Sequence, residues 1–494
     1  MSITQTPSGA PGSAPGDEAT FFGHPRALST LFLTEMWERF SFYGMKAILV
    51  LFLTASVANG GLGMAEGSAN ALFGAYAGLV YLTALPGGWI ADRLIGARRS
   101  VLYGGIVIAL GHYVMAVPAD WSVFPGLILI VLGTGLLKPN ISTMVGNLYE
   151  KDSVRRDAGF SVFYMGINLG AFVAPLVTGW LADHVSYHAG FAAAAIGMTF
   201  AVVQYVIGSK RLKENGAAPT HPLVGAERKR TFRSIWIGVG VAAVVILIMA
   251  LLGWLSVNSV VDLLAWFTVA VAVVYFVRIF LDKRLTEVER SRMKAYIWLF
   301  VFAASFWLIY DQAGSVLNQF ADKNVDRTVG NFTFPAAWLQ SVNPILIIIG
   351  APLAGALWVK LGHRVSTPWK FAVGLIFNGL SFMLMAAAAQ AAVSHLVSPL
   401  WLIAVYALQV AGELAISPVG LSMTTKLAPA WYASQMLGLW FVSTAVGDAI
   451  GGQVAKFSDG GPSYFLILGV ASVLLGLGAF GFTRHIKALM RGIH

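Results

Sequence analysis

Fourteen apolar runs, each close to the length that crosses a lipid bilayer, dominate this chain. They fall near 28–53, 71–91, 100–117, 123–147, 158–181, 190–208, 234–254, 259–280, 295–320, 336–359, 370–393, 399–425, 433–455 and 464–483. A spanning helix needs ~20 residues. Backbone crossing hydrocarbon must bond internally, as a helix or a closed barrel, and a barrel would show ~10-residue alternating strands. Runs this long and this continuously apolar predict helices. With 57% hydrophobic and 11% charged residues and a mean hydropathy of +0.72, the chain is too apolar for a water-soluble globule. The fold class is an all-α polytopic membrane protein with about fourteen transmembrane helices.

The net charge of +10 suggests a nucleic-acid partner until its distribution is considered. Arg93, Arg98 and Arg99 follow the second run, and Lys151, Arg155 and Arg156 the fourth. Lys210, Arg211, Lys213, Arg228, Lys229, Arg230 and Arg233 follow the sixth, and a basic segment at 278–294 follows the eighth. The connections at 54–70, 184–189, 255–262 and 390–398 carry no Lys or Arg. This alternation is the positive-inside signature and predicts both termini in the cytoplasm; no basic domain remains for nucleic acid. Absence of cysteine excludes disulfides and thiol chemistry. Residues 1–26, rich in Gly, Pro, Ser and Ala, lack a basic start and an apolar core, and so predict a flexible cytoplasmic tail rather than a signal peptide.

An internal repeat predicts the organisation. "GGWIADRLIGARRS" after the second run returns, more weakly, as "GALWVKLGHRVS" after the tenth, matching Gly88 with Gly355, Arg93 with Lys360, Gly96 with Gly362 and Arg98 with Arg364. Short loops on a basic face often carry Gly and Arg, which is the alternative reading of the second copy. A return after eight runs fits six helices, two inserted helices, and six helices. The expected divisions are a six-helix bundle at 27–208, a linker and inserted hairpin at 209–290, and a second bundle at 291–486. Without interior charge, the hairpin is expected to be peripheral and lipid-facing. Two parallel six-helix bundles are a transporter architecture with a site between the halves, and the repeated turn resembles the loop signature of the major facilitator superfamily.

Charges interrupt this apolar background at few places. In "TEMWERFSFYGMKAIL" (34–49), Glu35, Glu38, Arg39, Phe42 and Lys46 fall on one stripe of a helix. An ionised side chain near the bilayer centre costs at least about 2.5–3.5 kcal/mol, so the stripe faces a hydrated cavity or forms a buried ion-pair cluster that fixes packing. Glu35 and Arg39, four apart, are positioned to pair. Lys138 is the only charge of the fourth run, Asp311 of the ninth and Glu413 of the twelfth. Their partners are one another, the first helix, or a substrate, and such groups suit a proton relay.

These residues resemble a known family. Glu35, Glu38, Arg39, Phe40, Tyr43 and Gly44 match the ExxERFxYYG motif of the proton-coupled oligopeptide transporters. "FYMGINLGA" (163–171) is similar to that family's FYxxINxG signature and "GTGLLKPN" (133–140) to its fourth-helix lysine segment. The likeness continues through "FWLIYDQAGS" (306–315), "NP" (343–344), "GELAISPVG" (412–420) and Trp440. It covers essentially the whole chain and resembles bacterial members, which carry a similar hairpin. It implies a bacterial plasma membrane protein of major facilitator fold, working by alternating access.

Carried over by position, the resemblance implies that Arg39, Lys46 and Lys138 attract a peptide carboxylate and Glu413 receives the α-amino group. It implies that Tyr43, Tyr76, Asn168, Asn343 and Ser417 bond the peptide backbone, and that Trp307 and Trp440 shape side-chain pockets. Proton coupling falls to Glu35, Glu38 and Asp311, with Asp311 opposite Lys46. Three departures stand out: Phe42 for the first tyrosine of the motif, Asp311 where glutamate is common, and no histidine mid-membrane. The implied function is proton-driven symport of di- and tripeptides, with lipid as the surroundings and no cofactor beyond the proton. The alternative is proton-coupled transport of another solute, such as nitrate or a drug-like acid. No metal cluster, phosphate loop or nucleophile triad marks the sequence as an enzyme.

Overall fold

The computed structural model describes residues 20–150 and 153–493. Its helices of spanning length, in chain order, are α1 (Ala27–Thr54), α2 (Glu66–Ile95), α3 (Ala97–Ala116), α4 (Val123–Gly146), α5 (Val154–His184), α6 (Tyr187–Gly208), α7 (Gly225–Leu251) and α8 (Val257–Leu281). They continue with α9 (Glu287–Asn324), α10 (Val342–Leu361), α11 (Thr367–Ala392), α12 (Leu400–Lys426), α13 (Ala433–Ala455) and α14 (Pro462–Leu489). Among the described residues, 12 spans are long and apolar enough to cross a membrane by composition. The remaining two, α1 and α13, are diluted by polar residues: α1 by its charged stripe, α13 by Ser443, Thr444, Asp448 and several glycines.

Two spans are interrupted, and both interruptions bear on the site. At Thr83 in α2 the hydroxyl bonds back to the Leu79 carbonyl at 2.8 Å and across to Val131 of α4 at 3.1 Å. In α9 the α-helix stops at Tyr310, passes through a tight turn at Asp311–Gly314, and resumes at Val316. A break inside a bundle frees backbone carbonyls that need donors. Gln312 supplies one to Leu308 at 3.0 Å and Gln340 another to Ala313 at 2.6 Å.

Within each half, neighbouring helices are closely packed: α1 on α5 and α6, α3 on α4 and α6, α11 on α12 and α14, α9 on α13. The paired loops of the repeat both turn at a glycine of positive φ, Gly96 at +81° and Gly362 at +49°, a conformation that side chains disfavour. The segment after α6 docks on the first of these loops: Arg98 N–H donates to Gly216 at 2.8 Å, His221 N–H to Asp92 at 2.9 Å and Leu223 N–H to Arg93 at 3.1 Å.

The hairpin departs from the lipid-facing expectation in one of its helices. Helix α7 buries none of its residues, as an isolated apolar helix in lipid should. Helix α8 instead packs on both α2 and α13, along the seam between the halves. Asp262 pairs with Lys456 at one end of α8, and Tyr275 donates to Gln435 at the other. The tail prediction also needs amendment: residues 1–19 lie outside the described residues, but Thr20–Phe21 and His24–Pro25 form a tight hairpin. Its turn places Phe22 and Gly23 at φ +50° and +76°, as two-residue hairpin turns require. Tyr149 bonds His24 at 3.1 Å, and Arg155 donates to the Gly23 carbonyl at 2.8 Å.

Most basic residues lie on one face of the bundle, called here the basic face. Lys151 lies outside the described residues. On the opposite face Lys323 pairs with Glu66, Arg327 with Asp322, and Lys456 with Asp262, so each local positive charge meets a carboxylate.

Candidate functional site

The stripe on α1 is buried in the interior and paired within itself. Arg39 Nε lies 3.1 Å from Glu35 Oε1 and 2.5 Å from Glu38 Oε2, so both predicted acids share one guanidinium. The guanidinium sits 5.1 Å from the Phe42 ring centroid, and Phe42 stacks on Tyr76 with centroids 6.5 Å apart. The motif's missing tyrosine is thereby replaced by an apolar cushion for the cation. Arg39 Nη2, Glu35 Oε2, Glu38 Oε1 and the Tyr76 hydroxyl are buried without a hydrogen-bond partner among the described residues.

One turn further, Lys46 crosses between the halves. Its ammonium lies 2.7 Å from Asp311 Oδ1, and the break in α9 turns that carboxylate toward α1. The shorter aspartate therefore reaches the lysine. Around this pair the halves are cross-linked toward the face opposite the basic one. Asn318 donates to the Ala47 carbonyl at 2.7 Å, Ser341 to Phe172 at 2.7 Å, and Trp338 to Leu176 at 3.0 Å. Helix α2 meets α13 through glycines: a Cβ on Gly74 would lie 2.5 Å from Gly452 Cα and 2.6 Å from the Asp448 carbonyl oxygen. Tyr164 of α5, in the electrostatic field of Glu413, is 41% exposed.

Lys138 stands apart from the other two predicted cations. Its ammonium lies 3.7 Å from the Tyr81 ring centroid and 5.8 Å from that of Phe441. It has no carboxylate salt bridge among the described residues, although Arg39, Glu38, Glu35 and Asp311 act on it electrostatically. Across the interior, Glu413 accepts a hydrogen bond from Tyr310 Oη, which in turn accepts one from Asn343 Nδ2 at 2.8 Å. Lys138 and Glu413, lone charges that could have been each other's partners, do not meet. Tyr43 lies in the field of Arg39, Lys46, Asp311 and Glu413.

The remaining predicted residues divide by role. Trp307 packs on Phe306 and Tyr310, with centroids 5.3 and 5.2 Å away, and its indole N–H has no partner among the described residues. Trp440 is buried against Phe371 and fills the space left by Gly420. Asn168 turns its amide onto the Tyr164 carbonyl of its own helix at 2.9 Å. Ser417 is half-buried, one turn from Glu413 on α12.

Sequence reasoning passed over Tyr310, Tyr81 and Asp448. Tyr310 is adjacent to Asp311, but only the fold directs its hydroxyl to α12. Asp448 carried the same signal as the residues that were found, being the only charge in its run. It is buried, and neither carboxylate oxygen has a hydrogen-bond partner among the described residues. The interior therefore holds the carboxyls of Glu35, Glu38, Asp311, Glu413 and Asp448 against the cations Arg39, Lys46 and Lys138.

Comparison with known proteins places the whole chain in a family. The family model described as PTR2, POT family, matches residues 98–469. An uncharacterized transporter, YclF, of Bacillus subtilis (strain 168) is 44% identical over 478 residues, covering 96% of this chain and 96% of its own. A di-/tripeptide transporter of Lactococcus lactis subsp. cremoris is 42% identical over 481 residues, covering 93% and 95%. The crystal structure of a mutant peptide transporter POT in complex with alafosfalin superposes with a TM-score of 0.90 at 44% identity, covering 96% of this chain and 98% of that one. With motifs, helix order and fold shared over nearly its whole length, the chain belongs to the POT family, a family of multi-span membrane transporters and not of enzymes.

Proposed function

We propose that this protein is a proton-coupled symporter that imports di- and tripeptides by alternating access. The observation that carries the reading is the polarity of the interior: Lys138, free of a carboxylate partner, stands on the first half, and Glu413 stands on the second, held by Tyr310 and Asn343. A dipeptide zwitterion carries opposite charges several Å apart. A cavity with a cation on one wall and a carboxylate on the other is complementary to it and can pair both ends as it desolvates them. Lys138 receives the carboxylate. Arg39 and Lys46, each already paired, shape the field there, and Glu413 takes the ammonium. Nitrate or another plain anion would have no use for Glu413, which keeps that alternative second.

The proton enters through the Lys46–Asp311 pair. With the cavity open outward, protonation of Asp311 releases Lys46 and with it one link between the halves. The bundles 27–208 and 291–486 then rock about the bound peptide, and deprotonation toward the inside restores the pair. The surplus of carboxyls over cations in the interior supports this, since a low-dielectric site does not hold uncompensated negative charge without protons. The basic face is cytoplasmic, with both termini on that side of the plasma membrane, and no cofactor besides the proton takes part.

The test is uptake in liposomes. An outside-acidic gradient should drive labelled dipeptide above equilibrium, and a protonophore should abolish the accumulation. Indifference to dipeptide together with uptake of nitrate would replace this reading with its alternative.

A further inference from the structure

The proton pathway just described leaves one buried acid without a role. Asp448 on α13 is 3% exposed, and both its carboxylate oxygens lack a hydrogen-bond partner among the described residues. Close packing of α13 on α9 sets it beside the Asp311–Gly314 turn: a Cβ on Gly447 would lie 3.0 Å from the Leu308 nitrogen and one on Gly451 2.7 Å from the Leu308 carbonyl oxygen, and the charges of Asp311 and Lys46 act on it. Asp311 presents one oxygen to Lys46 at 2.7 Å, while its other oxygen is buried and unpartnered. Two buried carboxyls thus lie near one ammonium, and only Asp311 is in contact with it. Both cannot be ionised there, because a bare carboxylate beside a like charge is strongly disfavoured. The 2.7 Å contact assigns the negative charge to Asp311 and leaves the proton to Asp448.

We infer that Asp448 is a proton-carrying residue of this transporter, neutral while Lys46 is paired with Asp311, and the donor that neutralises Asp311 when Lys46 changes partner. In the transfer, the O–H bond of Asp448 breaks as an O–H bond forms on Asp311, and Lys46 moves from the Asp311 carboxylate to the new Asp448 carboxylate. One ammonium, one carboxylate and one carboxylic acid are present before and after, so no charge is left unpaired as Lys46 changes partner within the second half. Net proton uptake or release then occurs at the same two carboxyls. The inference deepens the symport reading and rests on it.

Asp448→Asn separates the two. In liposomes, wild-type accumulation of dipeptide under an outside-acidic gradient establishes symport. The variant's uptake should then require more acidic external pH, by at least about one unit, because Asp311 no longer shares its site with a second acid. Infrared difference spectra of purified protein at neutral pH should show a carboxylic-acid C=O band in the wild type that Asp448→Asn lacks. Asp311→Asn should lose the same band, since Asp448 then ionises to pair with Lys46, and this variant decides the matter if Asp448→Asn fails to fold. An unchanged pH profile with an unchanged band in Asp448→Asn, or the band retained in Asp311→Asn, overturns the inference. Failure of the wild type to accumulate peptide overturns the symport reading instead, and the infrared result still stands for Asp448.

Discussion

Lys46 on α1 reaches Asp311 at the break in α9, with 2.7 Å between ammonium and carboxylate. The contact joins the first half of the molecule to the second at the place where α9 leaves the α-helical conformation. A buried ion pair loses about 3–5 kcal/mol when one partner is removed, so its state biases how the halves sit together.

Asp311→Asn mimics the protonated acid. Uptake against a gradient should vanish, because Asp448, ionised beside Lys46 in this variant, has lost the acid with which it exchanges its proton, while exchange of peptide for peptide across the membrane persists. The check is labelled dipeptide uptake with and without a pH gradient, beside counterflow in preloaded vesicles. Loss of both activities would assign the pair a purely structural role.

Arg39→Ala leaves Glu35 and Glu38 buried together without the guanidinium they share. Dipeptide affinity and transport should both fall about tenfold or more, with a lowered melting temperature in detergent. Arg39→Lys offers one point charge in place of a fork and should recover only part of the loss. Normal transport by the alanine variant would remove the stripe from the substrate platform.

Glu413→Gln keeps the volume and an acceptor for Tyr310 but removes the charge. Uptake and exchange of ordinary dipeptides should both be abolished, since recognition of the ammonium is lost in every state. A dipeptide with a blocked amino terminus should be a poor ligand of the wild type and lose much less by the substitution. Binding titrations of free and blocked peptides to both proteins make the comparison, and equal losses would leave Glu413 only a gate residue.

Gly74→Val acts on the conformational equilibrium. A Cβ there meets backbone of α13 at 2.5 and 2.6 Å, and backbone cannot rotate aside as a side chain would. Overpacking costs about 1–3 kcal/mol, which shifts the population away from the state closed opposite the basic face by roughly 5–150-fold. Because the chain has no cysteine, a single pair of spin labels on the tips of α1 and α9 can report the change. Unaltered distances would show that α2 and α13 do not gate that face.

The sequence by itself determined what depends on composition and spacing along one helix. Spanning runs are set by the cost of exposing backbone to lipid, a local property, so fourteen helices, the repeat, and the Glu35–Arg39 contact could all be read from residue positions. The lone charges Lys138, Asp311 and Glu413 were legible for a related reason: one charge in an apolar helix must face away from lipid. Tertiary structure decided which partner each takes. Lys138 rests on Tyr81 rather than meeting Glu413, and Glu413 is held by Tyr310. Helix α8, which its own sequence gives no reason to place anywhere but in lipid, leans on the seam between α2 and α13. Contacts of this kind join residues far apart in the chain, and their energy depends on backbone approach and on the low dielectric that packing creates. Neither quantity exists until the helices have assembled, which is why Asp448, one aspartate in one run, acquires chemistry only beside Asp311 and Lys46.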